Sequence, residues 1–592
     1  MQTDTTTISQ EALRAQERLL RGSDLKPERR SSALTRFFIV VALFPVVGIV
    51  GLLLVILSLG FREEGTPTGA ITAQNYAALF TDPAMAEVVL NTVVYVLVAS
   101  GIALVLGTVL ALIVERTDFG MTRTVTGLIL MRILIPSFFT AMGWLFLLHP
   151  RIGAVNIWLK DLLGATEAPF DITSIVGMGF VEGLSLSGLV FMMVSGSLRN
   201  MDGSLEESAR TAGASALTVV RRVTLPLVTP ALLSSFMFVS TISISSLDVP
   251  LVLGLANRKL VFSSYLYLQA NPSGGVTDYG VSAAFSSVLI VLAIGLSFWY
   301  MQVLRSGSRY RVLSGKGYRP IRNRLRPGWR IVAGAYVVGY FVLSMFLPLL
   351  MVVWVSLLRY LQPPSIEALK NITLENYQNL NWDTLIRGFG NTLELAVIAP
   401  TIAGGVSIAI SYILIRTRLR SRFAIDLAAF FPQAVPTTIF ALSAMVTVMY
   451  FLRGWMYGSI VLIAVVIGLV QIPLANRNFS AALLQVHPEL EEAARMSGAG
   501  AWQVFGRITL PLLLPTVLSS WLWIALLSMR DLTVAALLAT PESSPLALVS
   551  WSLFQGGAMG SASAVTLIMI LAMSPIVAIY LIVTRKNESL SA

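Results

Sequence analysis

The feature that most constrains this chain is its set of long apolar stretches, each close to the length that crosses a bilayer. A membrane helix needs about 20 mostly apolar residues. Runs of that kind lie near 37–61, 92–114, 125–149, 175–197, 230–250, 280–303, 331–358, 391–415, 427–451, 456–475, 514–534 and 563–583. They form two groups of six. Charged residues make up 12% of the chain, about half the share usual in soluble proteins. These two observations exclude an ordinary soluble enzyme, a disordered chain and a collagen-like chain. Lipid offers backbone groups no partners, so the spans must be helices, and the fold class is an all-α polytopic membrane protein. The first run is too long and starts too late for a cleaved signal peptide, and reads as an anchor. With no cysteine, disulfides, thiolate metal sites and cysteine nucleophiles are excluded.

The formal charge is +11, so where the cations sit decides what they mean. With the N-terminus placed in the cytoplasm, the inside segments hold 31 Lys and Arg and the outside loops hold 9. That bias puts both termini in the cytoplasm. The predicted organisation is a cytoplasmic segment 1–36, a six-span unit 37–303, a linker 304–330, a second six-span unit 331–584 and a tail 585–592. The linker carries nine basic residues and no acid between Arg305 and Arg330. Beside a span this reads as an anchor near anionic lipid, with no nucleic-acid role. Ser314-Gly315-Lys316-Gly317 lacks the upstream glycine and following hydroxyl of a phosphate loop.

The two groups of six are copies. Asn75-Tyr76, Asn91-Thr92, Arg116-Thr117 and Ile135-Pro136 recur as Asn376-Tyr377, Asn391-Thr392, Arg416-Thr417 and Val435-Pro436, at offsets of 300 or 301. Further on the offset is 285, which places about 15 extra residues in the outer loop near 150–174. There Leu205-Glu206-Glu207-Ser208-Ala209-Arg210 pairs with Leu490-Glu491-Glu492-Ala493-Ala494-Arg495. Gly213-Ala214 pairs with Gly498-Ala499, and Val223-Thr224-Leu225-Pro226 with Ile508-Thr509-Leu510-Pro511. Six spans per copy make the repeat parallel, with its axis along the membrane normal.

Both long inside loops carry this second match. Glu491 and Glu492 sit at a predicted helix start, where carboxylates complement the dipole. Ala494 and Gly498 are four apart and share a small-residue face. Gly498 is suited to end the first helical turns. Trp502, Val504 and Phe505, with Arg507 beside them, form a predicted hydrophobic ridge. An amphipathic helix lying on the membrane face is the alternative for one copy alone. Two copies suggest a docking plug for a two-fold partner.

At these residues the chain resembles the membrane subunits of binding-protein-dependent ABC importers of the type I fold. Their loop signature runs Glu-Ala-Ala, three residues, Gly, nine residues, Ile, one residue, Leu-Pro. Glu492-Ala493-Ala494, Gly498, Ile508, Leu510 and Pro511 match it throughout. In the first copy Glu207, Ala209, Gly213, Leu225 and Pro226 match, while Ser208 and Val223 depart. The resemblance implies that the loops, with Glu206 and Glu491, dock on a cytoplasmic ABC ATPase dimer. It implies that ATP and Mg are used by that partner and that this chain is no enzyme and holds no cofactor. A periplasmic binding protein would deliver the cargo. Two fused halves resemble permeases for ferric iron, thiamine and organophosphonates such as 2-aminoethylphosphonate. Leu247-Asp248-Val249-Pro250-Leu251, Asp278-Tyr279-Gly280 and Gly315-Lys316-Gly317 look most like the ferric-iron branch. Thiamine, organophosphonate or polyamine is the alternative cargo.

Ionisable residues inside spans are candidates for the pathway. Asp248 and Arg530-Asp531 lie late in the fifth span of each half, where an ion pair or cap is the structural alternative. Glu182 stands in an apolar span with no local partner. Arg132 is expected to snorkel inward. His149 and His487 read as capping or solvated, so no metal site is expected. An ion-driven transporter shares the six-plus-six count but predicts no repeated plug between spans four and five. An embedded enzyme lacks any catalytic motif here.

Overall fold

The computed structural model describes residues 33–199, 201, 203–271, 279–307, 324–417, 419–452 and 454–591. Most of segment 1–36, most of the basic linker including Gly315-Lys316-Gly317, and Asp278 lie outside the described residues.

The first half contains α1 (Ala33–Gly60), α2 (Pro83–Arg116), α3 (Thr122–Leu134), α4 (Ser137–Leu148), α5 (Ile175–Arg199), α6 (Ser204–Thr211), α7 (Leu225–Ser245) and α8 (Gly280–Gly307). The second half repeats the order. It contains α9 (Pro327–Ser356), α10 (Trp382–Arg416), α11 (Arg422–Ala434), α12 (Thr437–Tyr450), α13 (Ile460–Gln485), α14 (Pro488–Met496), α15 (Leu510–Met529) and α16 (Met559–Ser591). Among the described residues nine helices are long and apolar enough to cross a membrane, and eleven spans result if each bent pair counts as one. The apolar stretch of α8, Gly280–Gly295, is shorter. The extra loop of the first half holds a short helix, Ala154–Leu163.

Several predicted boundaries move, for identifiable reasons. Helices α2 and α10 start before 92 and 391 because caps set their starts. The Asp82 carboxylate accepts the Ala84 N–H at 2.9 Å, with Pro83 in the first turn. The Asn381 side chain accepts the Thr384 N–H at 3.1 Å. Hydropathy sees only the apolar part of such a helix. The spans predicted at 125–149 and 427–451, where Pro136 and Pro436 are expected to kink the helix, are broken pairs, α3–α4 bent by 89° and α11–α12 by 104°. A proline pushes the preceding residue out of the helical region. Accordingly Ile135 and Val435 are extended, with ψ of 122° and 134°. Pro136 and Pro436 then start the second helix of each pair.

The polar residues shared by the repeats hold the same joints in both halves. Asn75 Nδ2 donates to the carbonyls of Gly60 and Arg62, and Asn376 Nδ2 to those of Ser356 and Leu358. Each amide thus ties off the chain leaving the first helix. Thr92 Oγ1 donates to Val88 O and accepts from Phe262 N. Thr392 Oγ1 donates to Gly388 O and accepts from Leu546 N. Asn91 and Asn391 bond the same outer segments, at Leu260 O and at Glu542 O and Ser544 O. A buried amide N–H left unbonded is costly, so these positions are constrained twice.

Within a half, α2 packs along α5, and α10 along α13. Small residues let these pairs approach closely, as favours helix pairing in lipid. A methyl group added at Gly107 would lie 2.5 Å from Ser187 O, and one at Gly183 would lie 2.8 Å from Ala99 O. Between halves the first helices are exchanged. Helix α1 packs on α8 of its own half and on α10, α11 and α12 of the other, while the second part of α9 packs on α4. The two repeats are therefore interlocked.

Candidate functional site

The repeated loops fold alike. Helices α6 and α14 end at Gly213 and Gly498, with φ of +87° and +86°. The Ala214 N–H bonds Ala209 O and the Gly213 N–H bonds Arg210 O; the Ala499 and Gly498 N–H groups bond Ala494 O and Arg495 O in the same way. This is a glycine-terminated helix end, and the left-handed residue is the reason for glycine there. A short helix and a π-helical turn then lead directly into α7 and α15.

The two glutamates of each loop divide their roles. Helix α14 begins at Pro488, which puts Glu491 in its first turn as the sequence predicts, and successive side chains on a helix point about 100° apart. Glu491 is buried and its Oε1 lies 3.0 Å from Arg416 Nε, at the end of α10. Thr509 Oγ1 donates to the same oxygen at 3.1 Å. Arg416 Nη2 also donates to Leu483 O and Val486 O. The first half repeats the arrangement: Glu206 Oε1 lies 3.4 Å from Arg116 Nε, Thr224 Oγ1 donates to it at 2.6 Å, and Arg116 Nη2 donates to Leu198 O. Each loop helix is thus bolted to the end of a spanning helix. Glu207 and Glu492 remain exposed, as do Ser208, Ala493, Gly213, Gly498, Pro226 and Pro511. Ala209, Ala494, Leu225 and Leu510 are half-buried.

The predicted exposed ridge is mostly turned inward. Val504 and Phe505 are buried, and the Phe505 ring lies 5.1 Å from Phe38 and 5.9 Å from Tyr412. Trp502 stays half exposed against Phe37, at 5.2 Å. Helix α1 claims this ridge because its aromatic end crosses from the other half. The exposed apolar residues of the second loop are Leu490, Met496 and Trp502; those of the first are Leu205 and Leu217.

A second polar cluster surrounds the α3–α4 break. Breaking a helix inside a membrane frees carbonyls that need donors. Arg530 Nη1 donates to Ile133 O at 2.5 Å and Ile135 O at 3.4 Å, across the interface between halves. Arg132 does not snorkel. It is 1% exposed, donating to Ile135 O at 3.3 Å and to Ser185 Oγ at 2.8 Å. The guanidinium is retained because the break supplies acceptors. Asp248 Oδ2 accepts from Ser137 Oγ at 2.8 Å, at the start of α4 where the dipole favours a carboxylate. Asp531 Oδ1 accepts the Val534 N–H at 2.7 Å, capping its own short helix. Glu182 is buried beside Tyr95 and Ser246, and its Oε2 has no hydrogen-bond partner. His149 follows α4, its Nδ1 accepting the Arg151 and Ile152 N–H groups, and burial holds its pKa below the usual histidine value.

A cavity of about 340 Å³ lies between the halves, and none of Glu182, Asp248, Arg530 or Asp531 lines it. Its lining includes Arg477 and Gln433, which hydropathy gave no reason to single out; Arg477 is a lone cation within the long helix α13. Arg116, Arg416, Thr224 and Thr509 were visible only as repeat matches. Among the described residues no three Asp, Glu or His side chains converge as a metal site would require.

The family described as binding-protein-dependent transport system inner membrane component matches the chain twice, over residues 103–307 and 401–589. Each match contains one anchored loop. The putative ferric transport system permease protein FbpB 1 of Haemophilus influenzae is 26% identical over 430 residues, covering 69% of this chain and 63% of that protein. The ferric transport system permease protein FbpB of Actinobacillus pleuropneumoniae is 26% identical over 464 residues, covering 75% and 63%. The Fe(3+)-transport system permease protein FbpB 2 of Haemophilus influenzae is 22% identical over 493 residues, covering 83% and 88%. The chain thus spans a little under two thirds of the length of the first two relatives.

Proposed function

We propose that this chain, which belongs to the family of binding-protein-dependent transport system inner membrane components, forms the membrane pathway of an ATP-driven importer. The carrying observation is the pair of loop helices, each fixed to a span by a buried Arg–Glu–Thr set. A rigid, duplicated projection suits a two-fold partner, and a cytoplasmic ATPase dimer has that symmetry. In this reading the exposed Glu207 and Glu492 and the apolar Leu205, Leu217, Leu490, Met496 and Trp502 meet the ATPase. ATP and Mg bind only there. Closure of the dimer pulls α6 and α14, and the anchors carry the motion into α2 and α10. A binding protein delivers cargo at the opposite face. Both termini then lie on the ATPase side, in accord with the Lys and Arg bias.

Ferric iron is the proposed cargo, supported by the names of the three relatives. Purification of the chain from a native operon context tests the partnership. The expected result is co-purification of an ATPase whose hydrolysis rises when a ferric-loaded binding protein is added. An ATPase that still binds after Gly213→Val and Gly498→Val together would refute the docking role of the loops. A cognate binding protein that carries another ligand would refute iron.

A further inference from the structure

The cavity between the halves has a chemistry of its own. Its walls come from α7 on one side and from α11 and α13 on the other, from Arg477, two turns before the loop-face end of α13, to Ile244 near the far end of α7. Ser234 and Thr241 lie two helical turns apart on one stripe of α7. Thr241 Oγ1 donates its one hydrogen to Met237 O at 3.0 Å, so position 241 lies on the wall without offering a donor of its own. Opposite stands Gln433, whose Oε1 is buried without a partner. Which end of that amide is oxygen is a matter of assignment, so an NH₂ group is equally available on this wall.

The one charged lining residue is Arg477, which is exposed. Its guanidinium lies over the Phe430 ring, 5.2 Å from the centroid. That contact holds the cation on the wall. Among the described residues no carboxylate lies within ion-pairing distance of it. Asp426, one turn toward the loop face from Phe430, interacts with Arg477 only through space and is outside the lining. The repeat gives no counterpart, since the 285 offset places Met192 opposite Arg477. A bare, highly charged metal cation requires hard anionic oxygens. This cavity offers a fixed positive charge and an amide group on walls that are otherwise mostly apolar.

We propose that the cavity is an anion-accepting station. What occupies it is an oxyanion or a metal held in an anionic complex, bound by the Arg477 guanidinium with the Gln433 amide. As a statement about cargo this rests on the importer reading above. As a statement about the cavity it does not.

The absence of cysteine allows a direct test on the whole chain. Thr241→Cys, in nanodiscs of phosphatidylcholine, is reacted with an anionic and a cationic methanethiosulfonate of similar size. Asn379→Cys, on an exposed turn, is the reference. The expected result is an anionic-over-cationic rate ratio roughly five-fold above the reference, as a single charge at this range produces in partly wet protein. Arg477→Gln should return the ratio to the reference, and Arg477→Lys should keep it. A ratio unaffected by Arg477→Gln, a preference for the cationic reagent, or no reaction at either charge overturns the proposal.

An anionic lipid headgroup and a soluble anion share this chemistry. Protection of Cys at 241 by ferric citrate or inorganic phosphate in phosphatidylcholine discs assigns a soluble anion. Protection seen only on adding phosphatidylglycerol assigns a lipid and overturns the station as a place for cargo. Failure of the importer reading would appear separately, as an absent ATPase partner with the rate ratio unchanged.

Discussion

Glu491→Gln is the sharpest probe of how the loop helices are held. In the folded chain Glu491 Oε1 receives Arg416 Nε at 3.0 Å and Thr509 Oγ1 at 3.1 Å. The two side chains of the pair are 11% and 6% exposed. Solvent screening is therefore weak. Removing one partner of a buried ion pair costs about 3–5 kcal/mol. The amide here preserves shape and one acceptor oxygen, and Arg416 keeps its two carbonyl partners. The loss is then close to that of one charge-assisted hydrogen bond, about 1.5–3 kcal/mol. It falls on the loop, since α14 is tied down chiefly there. Hydrogen exchange across Pro488–Ser497, in nanodiscs, should accelerate roughly 10- to 100-fold, because each 1.36 kcal/mol is a factor of ten. Exchange in α10 should not change. Arg416→Gln should act similarly, and the double variant should cost less than the sum. A coupling energy below about 0.5 kcal/mol would mean that the residues act independently, and the anchor argument would be wrong. The first-half copy is a built-in comparison: Arg116 and Glu206 are 3% and 2% exposed, but Arg116 Nε stands 3.4 Å from the carboxylate without a hydrogen bond, so Glu206→Gln should loosen α6 by less.

Four further outcomes are expected. Gly498→Ala forces a β-carbon into the left-handed region, costing roughly 1–2 kcal/mol; its space is open, so the loop should loosen in hydrogen exchange without loss of the folded chain. Gly183→Val collides with Ala99 O and the Ile102 side chain, and should lower the detergent melting temperature, with Gly183→Ala milder. Arg530→Met strips donors from Ile133 O and Ile135 O at the α3–α4 break, and should destabilise by about 1–3 kcal/mol, read as a lower melting temperature that Arg530→Lys partly restores. His149 is held below the usual histidine pKa by burial, so the folded chain binds fewer protons there than the unfolded chain; its contribution is present above pH about 6.5 and is lost as pH falls below that value, which should appear as lower protection factors of the Arg151 and Ile152 amides in acid, after correction for the intrinsic exchange rate.

The frame was legible because its signals are local or duplicated. Apolar length marks a span, and an identical polar residue at a constant offset marks a joint. Asn75 and Asn376, or Thr92 and Thr392, could be recognised as equivalent before their partners were known. What they do could not, because Gly60, Arg62 and Phe262 come from other segments of the chain. The same limit applied to Glu206 and Glu491. Adjacent glutamates look alike in sequence, and only the arrival of Arg116 or Arg416 from a helix 75 or more residues away decides which one turns inward. Arg132 departs from the snorkelling expectation for a related reason. Snorkelling is the expectation when a cation has lipid around it, and here the α3–α4 break supplies carbonyls. Arg477 carried no signal, since a cation near a helix end usually marks only the membrane border.

The two halves share the loop anchors and the outer joints, and differ in the buried polar residues around the α3–α4 break and in the cation on the cavity wall. Arg116, Glu206 and Thr224 have counterparts in Arg416, Glu491 and Thr509, whereas Arg132 faces Pro432, Glu182 faces Ile467, Asp248 faces Thr533 and Arg477 faces Met192 by the same offsets. The division follows from geometry. On the proposed docking, a two-fold partner would apply equal demands to both loops, so a change in one loop alone would spoil the match. On the proposed transport role, a small cargo near the axis would touch both walls at once and need each chemical group only once. Two identical chains would be forced to repeat a charge such as Arg477 on both sides. A fused chain escapes that, and can keep one wall charged and the other uncharged. Moving the cation to the other wall, as Met193→Arg with Arg477→Met, is the decisive comparison. If only the presence of one cation matters, the reagent preference at position 241 should persist; if the Phe430 seat matters, it should collapse toward the exposed reference.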